Sequence, residues 1–286
     1  MSDFPDKIKI RQAYQDVQKH QHIEALIRRF SSNKNDIRQT ALASVDLSAC
    51  LTVLEMGCAF GSFTEALEGR LHPQARITGL DIITEYEPLF LQACKRAGYE
   101  GTFKEGGVGR IQSDPASSCD LIICSFALYF FVEMLPDITR ILKPGGLFIA
   151  ITHSRRNMRE LIDLIRSILN RQKQLRDNQL LPIEMILDRF SSENGTDLLK
   201  TYFRETRQID FPNTLVFEPP DMEAFVEYYR FKEPFFLTGK APAPAGILTD
   251  VTRALADMAT KGQAATMCKD DSIFICTHPL TPGASS

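Results

Sequence analysis

Between residues 51 and 152, short apolar runs alternate with segments of helical character, and few folds accept that order. Residues 51–56 read as a strand, 57–61 as a glycine loop, and 63–69 as a helix that Ser62 can cap. A second strand covers 76–80 and ends at Asp81, and a helix over 87–97 is closed by Gly98. A short third strand fits 102–104 and a fourth fits 120–125. A helix over 132–142 is stopped by Lys143-Pro144-Gly145-Gly146, and the fifth strand is 147–152. Strands this uniformly apolar, set between helices, belong to a parallel sheet covered on both faces.

Outside that stretch the pattern is more helical. Residues 6–30 carry apolar positions at helical intervals up to the polar run 31–35. Residues 156–175 and 183–202 read as long helical stretches, and 203–217 as extended, with Pro212-Asn213 a turn or bulge. A helix follows over 220–231, a loop over 239–246, a helix over 247–261 and a last strand over 272–277. The tail 280–286 is expected to be disordered.

Composition excludes several classes. The 286 residues carry 33 Lys and Arg against 36 Asp and Glu, so the global basic excess of a nucleic-acid binder is missing. No apolar run approaches the roughly 20 residues of a membrane helix, and MSDFPDKIKIRQ has no apolar core for a signal peptide. The seven cysteines are odd in number and form no CxxC pair, so neither a closed disulfide framework nor a structural zinc site is expected. Reduced, buried thiols in a cytoplasmic protein are the expectation.

The chemistry-bearing stretch is Val53-Leu-Glu-Met-Gly-Cys-Ala-Phe-Gly61. Glycines let a ligand approach the backbone, and the helix behind them offers free N–H groups. A dinucleotide site wants G-x-G-x-x-G around a pyrophosphate, whereas here a carboxylate stands at the strand's end. That carboxylate repels a pyrophosphate and welcomes a cation such as an amino group. A P-loop is excluded because no Gly-Lys-Ser/Thr follows.

The chain resembles the class I S-adenosylmethionine-dependent methyltransferases. Glu55 to Gly61 matches their first motif and Asp81 their ribose-binding acid. Cys119-Asp120-Leu-Ile-Ile-Cys-Ser125 matches their fourth-strand motif, and Leu142-Lys-Pro-Gly-Gly-Leu-Phe-Ile149 the turn into their fifth strand. The C-terminal half looks like the small-molecule, ubiquinone-biosynthesis-like type, through Asn157-Met-Arg-Glu-Leu161, Phe190-Ser-Ser-Glu-Asn-Gly195 and Lys269-Asp-Asp-Ser-Ile-Phe274. The resemblance implies an α/β Rossmann-like fold: a seven-stranded, mostly parallel sheet with helices on both faces, last strand antiparallel, plus a helical cap. Divided on that basis, 1–46 is an N-terminal helical cap and 47–153 the cofactor-binding core. Residues 154–245 are a cap insertion with one core strand, and 246–279 are the core's final helix and strand.

The resemblance also implies the site. The loop Gly57, Cys58, Ala59, Gly61 wraps the methionine part of S-adenosyl-L-methionine, and Glu55 favours its ammonium. Asp81 accepts from the two ribose hydroxyls, and Ile82 packs on adenine. Ser125 and Phe126 line the methionine side. Two positions depart from the pattern. Ala59 replaces the middle glycine, tolerable where φ is negative. The acid expected after the third strand is replaced by Glu105-Gly-Gly-Val-Gly109, so Gly107 and Val108 contact adenine through backbone, or Asp114 serves instead.

Methyl transfer from a sulfonium is an in-line displacement in which the protein chiefly positions the nucleophile. His153, directly after the fifth strand, is the candidate general base, with a structural loop histidine as the competing reading. Tyr14, on the N-terminal helix, is a second catalytic candidate, with a packing or carboxylate contact as the favoured reading over a base, and His20 and His22 are expected at the surface. Eight aromatics between 211 and 236 are either a cap core or the lining of an apolar pocket. Residues 155–177 carry seven Arg or Lys against three acids, either an anion-attracting patch or a solvated face.

The expected activity is methyl transfer to O, N or C of a small, apolar or aromatic molecule, releasing S-adenosyl-L-homocysteine, with no metal. The alternatives are an RNA methyltransferase and a non-catalytic cofactor-binding module of the same fold. No nucleic-acid partner and no membrane span are expected, and the sequence leaves the oligomeric state open.

Overall fold

The computed structural model describes residues 7–176, 179–237 and 244–280. The expected disordered tail beyond 280 and most of the 239–246 loop lie outside the described residues. The strands in chain order are β1 Thr52–Met56, β2 Arg76–Asp81, β3 Glu100–Glu105, β4 Cys119–Ser125, β5 Leu142–His153, β6 Phe203–Phe211, β7 Thr214–Phe217, β8 Ala265–Cys268 and β9 Asp271–Pro279.

Seven of them form one sheet in the order β3-β2-β1-β4-β5-β9-β6. Strands β1 to β5 are mutually parallel, and β9 runs antiparallel to both β5 and β6. The chain starts in the middle of this sheet, at β1, and returns to its other side at β4. The strand order reverses between β1 and β4, the switch point at whose carboxyl ends open α/β sheets bind their ligands. Alternate residues serve the two faces. Val53, Ile77, Leu121, Ile123, Ile149 and Ile151 join one core with Phe63, Leu67 and Phe90 from the helices Ser62–Ala66 and Glu87–Ala97 and the turn at Leu67. On the opposite parity, Leu54, Met56, Ile122, Cys124, Phe148 and Ala150 are equally buried. That double burial is what near-continuous apolar strands require.

The chain divides into two compact units. The first comprises 1–34, 154–188 and 212–270; the second comprises 35–153, 189–211 and 271–286 and holds the seven-stranded sheet. In the first unit β7 and β8 form a separate antiparallel pair among helices, including Val17–Phe30, Arg159–Arg171, Met222–Lys232 and Pro244–Thr260.

Several expected elements come out differently. The 6–30 helix is two helices, Lys7–Gln15 and Val17–Phe30, because Asp16 leaves helical geometry and accepts from Lys19 N at 3.0 Å as an N-cap. Ser62 does not cap its helix. Gly61 holds that position with φ 82° and no side-chain bond. The 183–202 stretch breaks into Pro182–Arg189 and Gly195–Lys200, where Asn194 Oδ1 accepts from Ser191 N at 2.7 Å. The extended 203–217 segment splits at Pro212, which has no N–H to offer a ladder. Only β6 joins the main sheet; β7 pairs with β8, a strand that periodicity did not reveal. The helix Pro244–Thr260 belongs to the first unit and packs with the helices Met222–Lys232 and Arg159–Arg171, so the expected core segment 246–279 contributes only β9 to the seven-stranded sheet.

The seven cysteines are free and five of them are buried. Among the described residues no helix is long and apolar enough to cross a membrane, and no group of three or more His, Cys, Asp or Glu is placed to hold a metal ion.

Candidate functional site

The second unit gathers the sequence-predicted binding residues at the carboxyl ends of β1, β2 and β4. β1 ends in Glu55-Met56, and the chain turns at once through Gly57 with φ 70°. Gly57 N donates to Leu80 O at 2.8 Å, which ties the loop to the end of β2. A Cβ on Gly57 would lie 2.9 Å from Ala127 Cβ, and one on Gly61 would lie 2.6 Å from Ala93 Cβ. Both positions also have left-handed φ, so both require glycine.

Asp81 closes the other side. Its Oδ2 accepts from Ala59 N at 3.0 Å and its Oδ1 from Ile83 N at 3.0 Å. Burial raises the carboxyl above its ordinary range, and backbone N–H bonds from Ala59, Ile83 and Ile82 oppose that shift. Each oxygen keeps a lone pair beyond these bonds, which is what a vicinal diol needs. Ile82, the next residue, is 46% exposed, an apolar side chain left open beside the acid. Gly106 N donates to Asp81 O at 3.0 Å, bringing the loop after β3 to the same place.

Glu55 lies deeper, 3% exposed, with Thr64 Oγ1 donating to its Oε2 at 2.5 Å. Burial pushes its carboxyl up to about 8, against the lowering pull of the Thr64 bond and of Arg38. Thr64 was not foreseen as a partner, although it follows Glu55 by only nine residues.

Ala59 has φ 44°, not the negative φ expected of a tolerated alanine. The loop keeps the glycine-type conformation with a methyl in place, at a cost of about 1–2 kcal/mol. The Cys58 side chain is 2% exposed and joins the hydrophobic core, so only its backbone is offered to a ligand. Gly107 precedes the 3-10 turn Val108–Ser113, with Gly107 exposed and Val108 half-buried. Asp114, the alternative adenine acceptor, is instead paired with Lys104 at 3.4 Å. Ser125 ends β4, and Phe126 follows with φ 54°.

His153 ends β5, its ring stacked on Phe126 with centroids 4.6 Å apart. Its Nδ1 lies 2.6 Å from Asp271 Oδ1, a partner that sequence reasoning missed. Tyr14 belongs to the first unit, where it packs edge-on against His20 and Phe231 at 4.7 and 5.2 Å. His20, expected at the surface, is packed in that aromatic group, and burial with nearby Lys232 lowers it to about 3. His22 is exposed and paired with Glu227.

The eight aromatics between 211 and 236 are all buried, 7% exposed or less, so they build interior. Three of the six arginines of 155–177 are paired with acids: Arg155 with Asp188, Arg159 with Asp163, and Arg166 with Glu184. They read as a solvated, ion-paired face.

Residues 53–146 match the family described as "Methyltransferase domain". The chain is 30% identical over 130 residues to the trans-aconitate 2-methyltransferase of Paracidovorax citrulli, covering 44% of this chain and 48% of that one. It is 30% identical over 121 residues to the trans-aconitate 2-methyltransferase of Methylobacterium nodulans, covering 41% and 44%. The chain thus spans about half the length of the curated relatives it matches. The YcgJ protein of Bacillus subtilis superposes with a TM-score of 0.51 at 17% identity, over 85% of this chain and 98% of that one. A protein of Bacillus halodurans C-125 superposes with a TM-score of 0.53 at 11% identity, over 85% and 99%. At such identities these two establish the fold alone.

Proposed function

We propose that this chain, whose residues 53–146 match the methyltransferase domain family, is a class I S-adenosylmethionine-dependent methyltransferase that moves the sulfonium methyl of S-adenosyl-L-methionine to O, N or C of a small molecule. S-adenosyl-L-homocysteine is the second product. The observation that carries the reading is the arrangement of two acids, the buried Glu55 and the half-buried Asp81, on adjacent parallel strands around one glycine loop. When bound, the cofactor supplies an activated methyl on a good leaving group. The chain's own residues then have to bind and orient the reactants.

The residues present suit that cofactor. Asp81 is locked by Ala59 N and Ile83 N with acceptor capacity left for ribose hydroxyls. Ile82 gives adenine an apolar face. Glu55, reluctant to ionise in its buried setting, gains a reason to do so beside an ammonium. Ser125 and Phe126 stand on the methionine side. With Asp114 held by Lys104, the backbone at Gly107 and Val108 is left as the contact for adenine.

The relatives' names favour a small acceptor and favour catalysis over mere cofactor binding. Burial of the aromatic window favours its reading as a cap core. Calorimetry tests the methyltransferase reading. S-adenosyl-L-methionine and S-adenosyl-L-homocysteine should both bind, and absence of binding at millimolar ligand sinks it. Asp81→Ala should weaken binding by about 1–3 kcal/mol, the worth of charged hydrogen bonds. An unchanged affinity refutes the ribose assignment.

A further inference from the structure

Asp271 begins β9 and lies directly across from His153, the last residue of β5, in the antiparallel ladder. The two side chains meet at 2.6 Å between Nδ1 and Oδ1, with 13% of the histidine side chain and 5% of the aspartate side chain exposed. An ionised Asp271 can only accept, which assigns the proton between the two atoms to Nδ1. In this tautomer the lone pair sits on Nε2. The ring is also held flat against Phe126 at 4.6 Å and 25°, and near-parallel to Tyr129 at 6.1 Å and 22°. Phe126 is kept in a left-handed conformation, φ 54°, a local strain that tends to collect at functional sites.

The position suits chemistry. Register places Met56 opposite Cys124, and Cys124 opposite Ala150. His153 is therefore two strands across from the end of β1, about 10 Å at the usual strand spacing, and three residues further out on the carboxyl side.

We propose that His153 and Asp271 form a base dyad in which Asp271 is the positioning residue and His153 Nε2 receives the acceptor's proton. This rests on the methyltransferase reading above and narrows its substrate class. The acceptor carries its nucleophile as O–H or N–H: an alcohol, a phenol or an amine. A lone pair of that atom bonds to the methyl carbon as sulfur departs with the old bonding pair. The acceptor proton passes to Nε2, the resulting imidazolium is balanced by Asp271, and the proton then goes to water. A carboxylate acceptor, the chemistry that trans-aconitate in the relatives' names would bring, is already ionised at neutral pH and would have no use for the dyad.

Two measurements test it. Nitrogen-15 NMR of histidine-labelled protein, with His153 identified by His153→Gln, should show Nδ1 protonated and Nε2 not. The opposite tautomer in the parent overturns the dyad. Transfer from tritiated-methyl S-adenosylmethionine is then followed on a panel of phenols, alcohols, amines and carboxylates. Label should pass to hydroxyl or amine members. His153→Ala and Asp271→Asn should each lose on the order of 100-fold in rate, with cofactor affinity within about twofold of the parent's. Free imidazole should restore the His153→Ala variant, a rescue that a purely structural histidine does not allow. Transfer confined to carboxylates, or variants within about threefold of the parent, overturns the proposal. Failure of the parent to bind cofactor would instead overturn the methyltransferase reading, whatever the tautomer.

Discussion

Glu55 is a carboxylate at the end of a central strand, 3% exposed, and its nearest hydrogen-bond donor is the hydroxyl of Thr64. Burial raises its pKa from 4.5 to about 8. A carboxyl that ionises less readily folded than unfolded contributes stability fully present below the unfolded value. That contribution is lost as pH rises through the folded one. Stability referable to Glu55 should thus decline between 4.5 and about 8. Glu55→Gln removes the titration and should flatten that decline. Denaturant unfolding at several pH values across this window checks it, and parallel curves for parent and variant would refute the burial argument. Sequence alone singled out this acid, with Gly57, Gly61 and Asp81, because they lie at the ends of β1 and β2 and in the loop that leads from β1 to its helix. Sequence could not give the sign of φ at Ala59, which depends on how the loop closes onto Asp81. Nor could it give the His153–Asp271 pair, whose members are 118 residues apart. Lys269-Asp-Asp-Ser-Ile-Phe274 was noticed as a cue, but only the β5–β9 register shows which acid faces the histidine.

At the scale of elements, periodicity served where a segment is uniform and failed where one polar side chain interrupts it. The helix Glu87–Ala97 and its closing Gly98, φ 85°, follow directly from apolar spacing and a glycine stop. Residues 7–30 keep helical spacing throughout, yet the chain breaks at Asp16, whose side chain satisfies Lys19 N. A capping aspartate competes with helix continuation because its carboxylate offers the backbone N–H a partner that an interior position already has. Asp16→Ala should cost about 1 kcal/mol, the usual worth of an N-cap, read as a shift in the denaturation midpoint. No shift would mean that packing around the bend, and not the cap, sets the break. β8 escaped notice for a different reason. It is four residues long and pairs with β7 in a two-stranded sheet, so neither its length nor its partner is marked in the sequence.

On the scale of the whole molecule, chain order and folding units do not coincide. Each compact unit is assembled from three separate segments, so no single cut isolates either. The stretch 35–153 contains every cofactor residue foreseen at the site, from Glu55 to Phe126, and ends with His153. Yet β9 lies between β5 and β6 in the sheet. Its residues Ile273, Phe274 and Cys276 are fully buried, and Phe274 packs on Phe190 with ring centroids 5.4 Å apart. Without 189–211 and 271–280, β5 becomes an open edge, and Phe148 loses Phe203, its stacked neighbour at 5.6 Å. An apolar strand edge of that kind invites association in place of folding. The fragment 35–153 should therefore lack a cooperative thermal transition and should not bind S-adenosylmethionine. Calorimetric melting and titration of the fragment beside the full chain measure both. A sharp, reversible transition would show that the five parallel strands form a self-sufficient core. The antiparallel return would then serve chiefly to deliver Asp271 to the end of β5.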